Sequence, residues 1–77
     1  MNISVKAIDL SIKLGDLVSY DKKLCLVVFD ETENSENKYK LMNVIEDKII
    51  ANFESLEDLS SKVKLYKKGY EILLKDN

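Results

Sequence analysis

The clearest pattern in the chain is an unbroken apolar run over residues 24–29, Leu-Cys-Leu-Val-Val-Phe, with lysines before it and acids after it. The run is too short for a comfortable helix and rich in β-branched and aromatic side chains, so it predicts a central strand. Upstream, Leu-Val-Ser-Tyr at 17–20 predicts a shorter strand, introduced by Gly15-Asp16 and ended by Asp21-Lys22-Lys23. Downstream, residues 30–38 (Asp-Glu-Thr-Glu-Asn-Ser-Glu-Asn-Lys) offer no hydrophobic anchor and read as an exposed loop, longer than a tight hairpin needs. Residues 39–45 predict the next strand, Glu46-Asp47-Lys48 a turn, and 49–53 an antiparallel return.

Ser55-Leu56-Glu57-Asp58 then marks a helix start. The serine hydroxyl can accept the amide three residues on, and the acids suit the positive end of the helix. Leu56, Leu59 and Val63 share a helical face, which carries the helix to Val63 or Lys64; residues 66–69 then turn the chain into a last strand at 70–74. Residues 1–14 allow two readings. Apolar residues fall at Ile3, Val5 and Ala7, then at Ile8, Leu10, Ile12 and Leu14, a phase slip that suits two extended pieces with a break near Ala7. A helix from Ser4 is the alternative, with Ile3, Ala7, Leu10 and Leu14 on one face and Gly15 as its C-terminal cap.

Seventy-seven residues make one small domain, 1–77, with a barrel-like core over 15–74 and a fold that is mainly β (α+β). With 45% apolar and 34% charged residues, the chain can form a thin core and a well-solvated surface. It contains no His, so Ser-His, Cys-His and His-metal chemistries are excluded. Its single Cys25 lies inside the apolar run, where a thiol packs as a small hydrophobe, and can form no internal disulfide. No apolar stretch approaches the ~20 residues of a membrane-spanning helix, and the N-terminus lacks a signal-peptide core. The expected compartment is the cytoplasm, with no membrane partner.

Charge narrows the partners. Twelve Lys and no Arg face fourteen acids, a net charge of −2 that matches a phosphate backbone poorly. Asp30, Glu31, Glu33 and Glu36 lack the glycine and terminal bidentate Glu of a calcium loop, so no metal is assigned. Glu46, Asp47, Glu54, Glu57 and Asp58 divide between a turn and a helix start, where acids already have a structural role. Lys62, Lys64, Lys67 and Lys68, interleaved with Tyr66 and Tyr70, form the one acid-free basic stretch, a pattern that could meet phosphates and bases. Tyr20, Tyr39, Tyr66 and Tyr70 divide between core and contact surface, since Tyr is enriched at interfaces.

The order Ile12-Lys13-Leu14-Gly15-Asp16-Leu17-Val18, the strand at 24–29, a hairpin, the capped turn at Ser55 and a closing strand resembles SH3-like small barrels, in which a short helical turn precedes the final strand. The Leu-Val-Val strand, the polar loop, the Tyr-x-Leu-x-Asn-Val strand and Ser-Leu-Glu-Asp also resemble accessory proteins of Firmicute phages and prophages. The resemblance covers residues 12–74 and implies fold only. The glycine and basic face of RNA-binding KOW barrels are replaced by the acids of 30–36, and the Trp of proline-peptide-binding SH3 grooves is absent.

The functional expectation is a non-catalytic, cofactor-free accessory protein of phage or mobile-element type, a monomer or homodimer. It would bind a protein partner through Asp30, Glu31, Glu33, Glu36, Glu54, Glu57 and Asp58. One form of this is inhibition of a host nucleic-acid-handling machine, with carboxylates occupying a basic channel. The alternative is a small nucleic-acid-binding barrel using Lys62, Lys64, Tyr66, Lys67, Lys68 and Tyr70.

Overall fold

Burial along the apolar run divides its two faces: Cys25 and Val27 are buried, while Leu24, Leu26 and Val28 are half-buried on the other side. That alternation is what a strand with one face on a core produces, and the computed structural model, which describes residues 11–69, pairs it on both edges. Its elements are β1 (Leu17–Tyr20), β2 (Lys23–Phe29), β3 (Tyr39–Asn43), β4 (Lys48–Phe53), α1 (Leu56–Ser60) and β5 (Lys64–Lys67). All strand pairings are antiparallel, in the order β4-β3-β2-β1-β5.

The inner face carries Val18, Cys25, Val27 and Leu41, and α1 lays Leu59 against β3 and β4 to complete the buried core. Burying such a side chain stabilises the fold by roughly 1.5–3 kcal/mol. Tyr20 and Phe53 meet edge to face with ring centroids 6.4 Å apart, although β2 and β3 separate their strands in the sheet. The sheet therefore curls over its own core. A mainly β fold, five antiparallel strands in one sheet with one short helix before the last described strand, is the architecture expected from the sequence.

Three turns depart from the sequence reading or refine it. The β1–β2 connection is a two-residue turn, Asp21 and Lys22, with φ of 50° and 63°; positive φ at both central positions defines type I′, the turn that matches strand twist. The β3 strand stops at Asn43 rather than continuing to Ile45, because the Asn43 Oδ1 accepts the amides of Ile45 (2.9 Å) and Glu46 (3.0 Å) and draws the chain into a turn. Asp47, at φ 57°, closes that turn, and Lys48 already belongs to β4. Residues 11–14 form neither strand nor helix. Instead Lys13 to Asp16 make a turn in which the Asp16 amide donates to the Lys13 carbonyl at 3.2 Å. Gly15 takes its third position at φ 90°, which favours a residue without Cβ.

The helix also differs. Ser55 caps it as expected, its Oγ accepting the Asp58 amide at 3.0 Å, but α1 ends at Ser60 instead of Val63 or Lys64. Residues 64–67 pair instead with the open edge of β1, with Lys64 opposite Ser19 and Leu65 opposite Val18. A short helix gains little from each added residue, and the ladder along β1 outweighs it. For the same reason Tyr66 and Lys67 lie in β5 and not in a turn. The strand expected at 70–74 and the pattern at 1–10 lie outside the described residues.

Candidate functional site

The two acidic segments predicted to bind a partner leave the sheet at the same place. Phe29, Tyr39 and Phe53 stand in register across β2, β3 and β4; the loop 30–38 departs between the first two, and Glu54 follows the third. Phe29 is 39% exposed and meets Tyr39 edge to face at 5.1 Å, so an aromatic pair lies at the base of both segments.

The seven acids do not play one role. Lys40 occupies the outer face of β3 yet is only 7% exposed, because the loop folds across it. Its Nζ lies 2.5 Å from Glu33 Oε1 and 3.5 Å from Asp30 Oδ2. Asp30 Oδ1 accepts the Thr32 amide and hydroxyl at 2.9 and 2.6 Å, and Glu33 Oε2 accepts the Ser35 amide and hydroxyl at 3.2 and 2.9 Å. Hydrogen bonds from Lys40 and then Ser35 hold the Glu33 carboxyl down to about 2, and those from Thr32 lower Asp30. The loop is thus an ordered, partly neutralised structure. Glu31, Glu36, Glu54, Glu57 and Asp58 remain exposed and without an ion-pair partner among the described residues. Glu46 and Asp47, at the far end of β4 from Glu54, are not part of this group.

The basic stretch divides more sharply. Lys62, Lys64 and Tyr66 are exposed, Lys67 is half-buried, and Tyr70 lies outside the described residues. Lys68 is buried: its Nζ lies 2.5 Å from Asp16 Oδ2 and donates to the Ser11 carbonyl at 2.7 Å. Lys62, Lys64, Lys67 and Lys68 therefore do not form one continuous basic face, because Lys68 is drawn inward to Asp16 and Lys67 is half-buried while Lys62 and Lys64 stay exposed. Of the other tyrosines, Tyr20 and Tyr39 are half-buried against Phe53 and Phe29.

Two features escaped the sequence reading. Lys22 joins Lys62 and Lys64 around one cleft, and the signal for it was the short polar break between 17–20 and 24–29, which suits a tight hairpin turn with Lys22 in it. Lys40, placed between Tyr39 and Leu41 in a strand, had to face outward and find an anion nearby.

Cys25 is buried, its Sγ directed at the Lys23 carbonyl, and burial pushes its thiol above the ordinary range against the opposing charge of Lys23. A thiol so placed is a poor nucleophile. Among the described residues no helix is long and apolar enough to cross a membrane, and no group of three or more His, Cys, Asp or Glu could hold a metal ion. No protein-family model, curated protein or solved structure matches the chain.

Proposed function

We propose that this chain is a non-catalytic protein-binding module, of the accessory type found in phages and mobile elements, whose acidic, aromatic-based end docks on a basic surface of its partner. The observation that carries the reading is the register of Phe29, Tyr39 and Phe53, from which the loop 30–38 and residues 54–58 both depart. Glu31, Glu36, Glu54, Glu57 and Asp58 supply unneutralised charge there, while the partly exposed Phe29 supplies apolar contact. Interfaces of this kind use charge for steering and selectivity and aromatic rings for affinity. The pairing of Lys40 with Asp30 and Glu33 supports the same reading, because it gives the loop one shape before a partner arrives. A partner that handles nucleic acid fits best, since its basic channel presents the charge these carboxylates complement.

The chain has no His, and its one thiol is buried, so binding accounts for the exposed groups better than catalysis does. The test is affinity purification from cells of the protein's own source, comparing the native chain with a charge-reversed variant. A partner retained by the native chain and lost from Glu31→Lys/Glu36→Lys/Glu57→Lys supports the reading, and a partner retained equally by both refutes it.

A further inference from the structure

Lys22, Lys62 and Lys64 line one shallow cleft together with Ser19 and Asp21. Three separate pieces of the fold deliver them: the β1–β2 turn, the connection after α1, and the first residue of β5, which stands opposite Ser19. None of these ammonium groups has an ion-pair partner among the described residues, whereas Lys40 and Lys68 are both neutralised by carboxylates. Three exposed ammonium groups against the single carboxylate of Asp21 give the cleft a local positive charge that an anion complements.

The backbone adds a second, independent observation. Lys22 is held at φ 63°, a left-handed conformation in which a type I′ turn ordinarily has Gly. Strain of this kind concentrates at functional positions. Here it sets a lysine on the rim of the cleft where a glycine would serve the turn better. Tyr66 is 64% exposed in the same strand as Lys64, at the register shift between β5 and β1.

We propose that this cleft binds a phosphate of a single-stranded nucleic acid, with Lys22, Lys62 and Lys64 around the phosphate oxygens and Tyr66 offering a ring on which a neighbouring base stacks. Lysines on a backbone phosphate with an adjacent exposed aromatic ring form the usual sequence-tolerant combination for single strands. The overall net charge of −2 does not oppose this, because the cleft holds three lysines and one acid. The proposal is independent of the protein-binding end, which uses other residues.

The experiment is fluorescence anisotropy of the full chain with a labelled oligothymidylate at low salt, with inorganic pyrophosphate in a parallel titration. The expected result is binding that weakens with added salt. Lys22→Ala, Lys62→Ala and Lys64→Ala should each weaken binding, and the triple variant should flatten the salt slope by about 0.7 in all, the single-strand value for one phosphate contact. Tyr66→Ala should weaken binding about fivefold or more, as loss of one stacking partner does. Asp21→Asn tightens binding. Lys22→Gly, which suits the turn and keeps the fold, weakens binding as Lys22→Ala does. Absence of oligonucleotide binding at low salt, or binding unchanged in the triple lysine variant, overturns the proposal. Lysine-dependent binding of pyrophosphate without oligonucleotide binding also overturns it, assigning the cleft to a small phosphate ligand.

Discussion

Lys68 and Asp16 lie 52 residues apart in sequence and 2.5 Å apart in space, and the pair fastens the two ends of the described chain to one another. Asp16 Oδ2 also accepts the Lys13 amide at 2.8 Å and Oδ1 the Gly69 amide at 2.8 Å, while Lys68 donates to the Ser11 carbonyl. Both glycines of the sequence belong to this clasp. Gly15 turns the chain before Asp16, and a Cβ on Gly69 would meet the Gly15 carbonyl oxygen at 3.0 Å.

Removing one partner of this clasp leaves the other buried without its counter-charge, so Asp16→Ala costs about 3 kcal/mol of stability and Lys68→Met a similar amount. Urea melts of the two single variants and the double variant check this. The double variant should be less destabilised than the sum of the singles, because no uncompensated charge remains in it.

The clasp also shapes the response to acid. Burial pushes the Asp16 carboxyl up, but the hydrogen bonds from Lys68, Gly69 and Lys13, together with the Lys68 charge, outweigh burial and hold it below its ordinary value. The group is lowered in the folded state, so its stabilisation is complete above the unfolded value of about 3.9 and is lost as pH falls through the folded one. Glu33, held to about 2, acts with the same sign. Urea midpoints measured from pH 6 to pH 2 should therefore fall on the acid side of pH 4. Asp16→Asn should start lower at neutral pH and fall less.

Lys22→Gly should raise stability by about 0.5–1 kcal/mol, because glycine enters the left-handed turn position without the Cβ strain that lysine bears. A denaturant midpoint at or below that of the native chain would show that the turn tolerates lysine without strain.

At the start of the connection from β4 to β5, Ser55→Ala should cost about 1 kcal/mol, the usual value for a lost N-cap. Leu59→Ala should cost about 2–5 kcal/mol, since Leu59 is the one buried residue α1 contributes to the core. The ratio of the two, read from denaturant melts, separates the local contribution of the cap from the packing it positions.

Much of the fold was legible because apolar patterning and polar breaks coincide: 17–20, 24–29 and the loop 30–38 emerge with little change, as does the cap at Ser55. What the sequence concealed depends on contacts between distant residues. The strand at 64–67 exists because β1 has a free edge, a property of the assembled sheet and invisible in the local sequence Lys-Leu-Tyr-Lys. Lys68 read as a surface lysine until its carboxylate, Asp16, came within reach from the far end of the domain. The acidic loop read as uniformly solvated because Lys40 lies in the following strand, and only the folding of 30–38 over β3 brings Asp30 and Glu33 to it. The convergence of the two acidic segments follows from strand register, which patterning alone does not specify.

Site-specific photocrosslinking decides whether the surface beside Phe29, Tyr39 and Phe53 is the protein-binding end. A photoreactive side chain is placed in turn at Glu31, Glu57 and, as a control on the β3–β4 turn, Glu46, and the full chain is irradiated in cells of its own source. One discrete protein adduct is expected from positions 31 and 57, none from 46, and that adduct should be lost when Glu36, Glu54 and Asp58 are changed to Lys. An adduct formed from position 46 but not from 31 or 57, or one indifferent to the charge reversals, would contradict that assignment.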